Sequence, residues 1–441
     1  MKKIFIILLA IFTSFAYDNI SAQEKLSLSE AITIALNSNT NVVKSSNSIA
    51  SYQSNVKSAY GNLLPNLSLQ GGFNWQRVTD DGGSKQIDYF GNLQTIGPSQ
   101  VDSRNWSVSA GGSVTLFDGL SNIAGINQSK NNLDAAKSSL EKLKQDIILQ
   151  TVNLYTQIIS NQKLLNFQEE DLKYNKGLLD RVKQMFDLKM VSISDVYSQQ
   201  AQTANSQVAY LQAKNNLEKS KVNLLTFLSI DPSKEFQYDS TASAVNDTSL
   251  LNRNAEDLYD YAFNNRQDYK SMTYQQESGQ NQLTIAKSGY FPRLSANYGF
   301  SSSAVQPSDL FNRKVYSLGL SLNIPVFSNW NTENAVQAAE VQVENDDEDL
   351  KALELNIRGE VKTAELDLQT AKEQLTASDA ALNASRESWK IKKETYSLGS
   401  ATFLDLQQAY NNYLQAEYNK INNEFKYIIA QYGLLNAVGK Y

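Results

Sequence analysis

The 441-residue chain contains no histidine and no cysteine. That removes the commonest general base, the commonest metal ligand, every thiolate site and every disulfide. What remains is carboxylate or Ser/Lys chemistry. No compact constellation of such groups stands out, so the chain reads as a non-enzyme without metal or cofactor. Two aspartates nevertheless hold matching places. Asp195 and Asp405 are separated by 210 residues, as are Phe186 and Tyr396 before them. The two stretches are Phe186-Asp-Leu-Lys-Met-Val-Ser-Ile-Ser-Asp195 and Tyr396-Ser-Leu-Gly-Ser-Ala-Thr-Phe-Leu-Asp405. Each follows a long polar helical run and reads as a tight turn joining two antiparallel helices. In that setting each aspartate falls at the start of the returning helix, where the helix dipole favours a negative charge. A unit repeated at fixed separation predicts an internal twofold repeat.

The elements that must carry these turns are legible in the hydropathy pattern. Lys2-Lys3 precede an apolar run from Ile4 to Phe15, and Ile20-Ser-Ala22 offers a small-residue cleavage site. Residues 1–22 therefore read as a secretory signal peptide. After Ala22 no stretch approaches the roughly 20 apolar residues of a spanning helix. A membrane-bound mature chain must then be a closed β-barrel, the other structure that satisfies every backbone group in lipid. The net formal charge of −6 argues against nucleic acid as a partner.

A helical pattern opening at Leu28 stops before Pro65, and the period then drops from 3.6 to 2. Leu67, Leu69, Phe73 and Trp75 alternate with Ser68, Gln70 and Asn74, and Trp106, Val108, Ala110, Val114 and Leu116 alternate with serines and Thr115. Between these strands, Arg77 to Asp102 reads as a long polar loop. The second half repeats the scheme, with Leu294, Ala296, Tyr298 and Phe300 on one strand and Tyr316, Leu318, Leu320, Leu322 and Ile324 on the next. One such strand alone fits a half-buried strand of a soluble sandwich. Four of them, in two hairpins flanked by long helices, favour a membrane barrel with Phe73, Trp75, Trp106, Tyr298, Phe300 and Tyr316 at the lipid interfaces.

Beyond the strands run heptads with a four-residue slip: Leu133, Leu140, Ile147, Leu154, then Ile158, Leu165, Leu172, Leu179, Phe186. The second copy is Val343, Leu350, Ile357, Ala364, then Leu368, Leu375, Leu382, Trp389, Tyr396. This is coiled-coil packing with local unwinding, in helices of roughly 100 Å. The division expected is 23–230 for the first repeat (hairpin about 67–116, tip about 188–194), 231–254 for a linker, and 255–441 for the second repeat (hairpin about 294–325, tip about 398–404). Four strands close no useful barrel. Three protomers would supply twelve and leave a lumen lined by Ser, Asn, Gln, Gly and Thr. The fold class is thus a mixed α and β membrane protein: a trimeric 12-stranded β-barrel, four strands per protomer, continuous with a long α-helical coiled-coil barrel.

On the strand entries at Pro65 and Pro292, the exit Pro325-Val-Phe327 and the paired tips, the chain resembles the TolC-like outer-membrane efflux proteins across essentially all of residues 23–441. The resemblance implies a homotrimer in the bacterial outer membrane that extends into the periplasm. It would be the passive exit channel of a tripartite efflux or type I secretion system, working with a periplasmic adaptor protein and an inner-membrane pump. It implies that Leu188, Lys189 and Met190, with Leu398, Gly399 and Ser400, dock the adaptor; Lys189 stands where the family's turn carries glycine. It also implies a periplasmic gate. Asp405 would form a ring of three carboxylates and Gln408 takes the second ring position. Tyr396, Ser194 and Asp195 would tie neighbouring helices, although Ala401 replaces the arginine of that lock. For Asp195 the helix-dipole reading stands equally beside the gating one. The alternative is a trimeric surface adhesin, whose four strands would be consecutive rather than split between two halves.

Overall fold

The computed structural model describes residues 24–239, 249–251 and 253–441. The expected signal peptide and the middle of the expected linker lie outside them. In chain order the first elements are β1 (Glu24–Leu26), α1 (Leu28–Ser38), α2 (Thr40–Gly61), β2 (Ser68–Asp80), β3 (Lys85–Ile87), β4 (Leu93–Thr95) and β5 (Ser99–Phe117). There follow α3 (Ser121–Asp187), α4 (Ile193–Phe227), β6 (Phe236–Tyr238), α5 (Ala255–Asn265) and α6 (Gln267–Lys287). The chain continues through β7 (Arg293–Ala304), β8 (Val315–Asn323), α7 (Asn331–Ser397) and α8 (Phe403–Ala437). Two compact units result. One contains Ile49–Lys137 and Ser271–Lys351, and the other contains Ser138–Lys270, Ala352–Tyr441 and the N-terminal stretch to Ser48.

In the first unit, four strands form one antiparallel sheet in the order β2-β5-β7-β8. Directly opposed residues share a face, and the register runs Phe73↔Trp106, Ala110↔Phe300 and Tyr298↔Leu318. The predicted apolar positions of all four strands therefore fall on one side, and the Ser, Asn, Gln and Gly positions on the other. The apolar side is open: Leu69 is 76% exposed and Leu318 is 86% exposed. A soluble sandwich would cover that side with a second sheet. Gly112 is required where the chain enters β2. A Cβ there would lie 1.8 Å from the Asn66 carbonyl oxygen, while the Asn66 side chain accepts the Ser113 N–H at 2.7 Å.

The stretch expected as a polar loop is largely ordered. β2 continues to Asp80 and β5 begins at Ser99, so Arg77 and Asp102 oppose one another across the pair. They form a bidentate ion pair, with Arg77 Nε and Nη2 donating to Asp102 at 2.6 and 2.8 Å. The small hairpin of β3 and β4 fills the remainder. Alternation fails as a signal beyond Trp75 because Arg77 and Asp102 then occupy the formerly apolar face, while the apolar pair Val78↔Val101 falls on the other.

In the second unit the heptad positions form the seam: Ile147, Ile158, Ile357 and Leu382 are buried, whereas Phe186 at the end of the first stripe is exposed. The helical pattern after Leu28 breaks at Asn39, which turns to extended backbone between α1 and α2. Its side-chain amide donates to the Phe227 carbonyl at 3.0 Å, capping the end of α4. Arg266 makes the matching break between α5 and α6 and donates to the Ala437 carbonyl at the end of α8, at 2.9 Å. That buried guanidinium is balanced by Asp268 and Glu360. The expected linker also contributes structure, since β6 pairs in parallel with β1.

Candidate gate and docking tips

Both tips are built the same way. After α3, the Lys189 N–H donates to the Phe186 carbonyl and the Met190 N–H to the Met185 carbonyl, each at 2.8 Å. After α7, the Gly399 N–H donates to the Tyr396 carbonyl at 3.1 Å and the Ser400 N–H to the Thr395 carbonyl at 2.8 Å. These are Schellman ends, which need one residue in the left-handed region. Gly399 adopts φ 73° and Lys189 adopts φ 60°. Lys189 thus occupies a place that glycine fills without strain, at a cost of about 1 kcal/mol. Leu188, Met190 and Leu398 project into solvent, all more than two-thirds exposed.

The two aspartates are capping residues. Asp195 accepts from the Ser192 hydroxyl and backbone N–H at 2.8 and 2.9 Å, and its own N–H donates back to the Ser192 hydroxyl. Asp405 accepts from the Thr402 hydroxyl and N–H at 2.8 and 3.1 Å. Both arrangements are capping boxes. The Thr402 hydroxyl, then its backbone N–H, then the nearby charge of Lys392 hold the Asp405 carboxyl below the usual carboxylate range. The Tyr396 phenol is pushed up by burial and then by the charge of Asp195. Its hydroxyl, however, meets Met185 Sδ at 4.0 Å, while the Asp195 carboxylate is spent on its own helix. Gln408 is exposed and donates to Asn412 along α8, and Ser194 is exposed beside the first cap.

Behind the tips, Leu406 packs on Leu178, Val182 and Val196, flanked by Tyr174, Trp389, Tyr396 and Phe403. Next to this cluster runs a groove of about 660 Å³ whose walls include Arg181, Met185, Met190, Lys393 and Tyr396. Sequence reading missed the polar ladder beyond it. Tyr410 of α8 donates to Asp171 of α3 at 2.8 Å. Asn175 donates to the same carboxylate at 2.8 Å and to Ser206 of α4 at 2.9 Å, and Gln199 of α4 donates to Asn175 Oδ1 at 3.0 Å. Asp171, Asn175 and Gln199 are all buried. Burial, followed by the adjoining Asp171 charge, drives the Tyr410 phenol far upward, so it stays protonated as the donor. The only sequence signal was polar residues interrupting an apolar stripe.

The sequence profile of outer membrane efflux proteins matches residues 31–229 and 258–440. The chain belongs to the outer membrane efflux protein family. Its curated relatives include outer membrane protein TolC of Vibrio cholerae, 21% identical over 389 residues that cover 87% of this chain and 84% of that protein. Another is the pyoverdine export outer membrane protein OpmQ of Pseudomonas putida, 20% identical over 93% of this chain and 85% of the relative. Among solved structures, CusC superposes with a TM-score of 0.80 at 15% identity, covering 93% of this chain and 92% of that one. The long helices and antiparallel sheet are thus those of a TolC-like protomer. An outer membrane efflux protein is a non-catalytic channel of the outer membrane that extends into the periplasm, and the two tips belong to such a channel.

Proposed function

We propose that three copies of this chain close their sheets into a 12-stranded barrel and their helices into a hollow coiled coil, forming the passive exit channel of a tripartite efflux or type I secretion system. The observation that carries this reading is the open four-stranded sheet. Among the described residues its outer strands β2 and β8 have unpaired edges, one face is exposed and apolar, and the other suits water. In this reading Leu188, Lys189, Met190, Leu398, Gly399 and Ser400 dock a periplasmic adaptor coupled to an inner-membrane pump. The tip groove, which shares Met190, gives the adaptor an apolar seat beside Lys393 and Arg181.

Asp405 supplies the ring of three carboxylates at the gate, with Gln408 in the neighbouring ring and Tyr396, Ser194 and Asp195 beside it. Its capping bonds engage one carboxylate oxygen, which aims the group without neutralising it. Three such charges about one axis favour cations. Asp405→Ala should lower cation selectivity in planar bilayers, and unchanged reversal potentials would remove Asp405 from the gate. Crosslinking from Ser400 should capture an adaptor; capture only from sites far from either tip would argue against tip docking.

A further inference from the structure

The outer end of the apolar sheet face carries a charge pattern that conduction does not require. On β2, Trp75 is followed on the same face by Arg77. On β5, the residue two positions beyond Trp106 toward the loop is Arg104. Ahead of β8, Lys314 continues the alternation two positions beyond Tyr316. On β7 the corresponding place beyond Phe300 is Ser302, which is covered by the turn that carries Arg313. Ser302 donates to the Arg313 carbonyl at 2.8 Å and accepts the Phe311 N–H at 2.9 Å, and Phe311 stacks on Phe300. Three of the four strands, β2, β5 and β8, therefore carry an aromatic side chain with a basic residue one step further out, and on β7 the turn through Phe311 covers that place.

The other end of the same face differs. There it presents Leu69, Val114, Leu294, Ala296 and Leu322, and Arg293 falls on the opposite parity. The basic residues occur only where the strands lead into loops, the end away from the helices and hence from the periplasm. Arg77 is partly neutralised by Asp102 and lies over the Trp75 ring at 5.4 Å. Arg104, Arg313 and Lys314 are exposed, and among the described residues none forms an ion pair.

We infer that this row is a binding site for the phosphate groups of the outer-leaflet glycolipid, with acyl chains on the apolar strands below and phosphates held by Arg104, Lys314 and the free side of Arg77. The apolar face fixes a lipid as the occupant, and the sign and one-sidedness of the charge select a phosphorylated headgroup in the outer leaflet. An aromatic residue under each cation sets the depth, since aromatic rings settle at the boundary between acyl chains and headgroups.

The inference rests on the outer-membrane barrel proposed above, and the test separates the two. The detergent-purified full-length protein would be titrated with bisphosphorylated lipid A or its dephosphorylated form, and retained lipid counted by native mass spectrometry. Wild type should retain the phosphorylated form about tenfold better. The double variant Arg104→Gln/Lys314→Gln should lose that preference, and Arg104→Lys/Lys314→Arg should keep it. No preference in wild type, or an undiminished one in the Gln variant, would overturn the inference. Conductance recorded on the same samples reports on the channel independently, because its loss would not alter the lipid ratio.

Discussion

The two helical hairpins match in length, 67 and 35 residues in each, yet they are held together differently. In the first, Asp171, Asn175, Gln199 and Ser206 link α3 to α4 through buried hydrogen bonds. In the second, the positions 210 residues later are Ala381, Ser385, Ala409 and Ala416. There α7 and α8 meet through small residues, the stacked rings of Trp389 and Tyr413, 5.0 Å apart, and a half-exposed ion pair in which Arg386 donates to Glu417 at 3.2 Å. Directional hydrogen bonds fix one register, whereas small apolar surfaces tolerate sliding. The first hairpin is thus pinned by a buried ladder, whereas the polar links of the second lie at its half-exposed margin. Tyr410 is the one hydrogen-bond donor that the second hairpin lends to the Asp171 carboxylate.

The sharpest way to break this contrast is to remove the ladder's centre. Asn175→Ala removes one of the two donors to the Asp171 carboxylate, the link to Ser206 and the side-chain acceptor of the Gln199 amide, and should lower the local opening free energy of α3 and α4 by about 2 to 4 kcal/mol. Ser385→Ala, whose hydroxyl serves only its own helix, should stay within about 0.5 kcal/mol. Native-state hydrogen exchange measures both, and equal effects would end the distinction. A smaller loss, about 1 to 2 kcal/mol, is expected for Tyr410→Phe, with no change for Gln200→Ala at the matching exposed position. Smallest is the exchange at the turns. Lys189→Gly should raise the thermal stability of the tip by about 0.5 to 1 kcal/mol, and Gly399→Ala should lower it by about 1 kcal/mol. Shifts of the same sign in both would show that the turns differ in more than their left-handed residue.

Much of this was legible because it rests on periodicity. Alternation placed Phe73, Trp75, Trp106, Tyr298, Phe300 and Tyr316 on one sheet face, and the heptads with their slip located the seam of both long helices. The recurring Asp195 and Asp405 marked the turns, and the structure adds that each aspartate closes a capping box. What stayed hidden depends on partners distant in sequence. The ladder joins α3, α4 and α8, and no local pattern announces that Asp171 will face Tyr410. The breaks at Asn39 and Arg266 are equally invisible, because each is set by the carbonyl end of a returning helix far along the chain. The extension of β2 and β5 was missed for a different reason. Above Trp75 the formerly apolar face turns polar and the valines Val78 and Val101 fall on the other, and the pairing of Arg77 with Asp102 takes over from alternation.

The free edges of β2 and β8 carry a consequence for how the protein reaches its membrane. Outward-pointing N–H and C=O groups along 13 residues on one side and nine on the other are harmless in water, but each costs several kcal/mol in hydrocarbon. A lone chain can fold its helices, yet its sheet has no admissible place within the bilayer until neighbours cover both edges. In the barrel proposed above, insertion is then a collective event whose rate depends on how many chains are present, and a newly exported protomer is a waiting species that must be kept from pairing with the wrong edge.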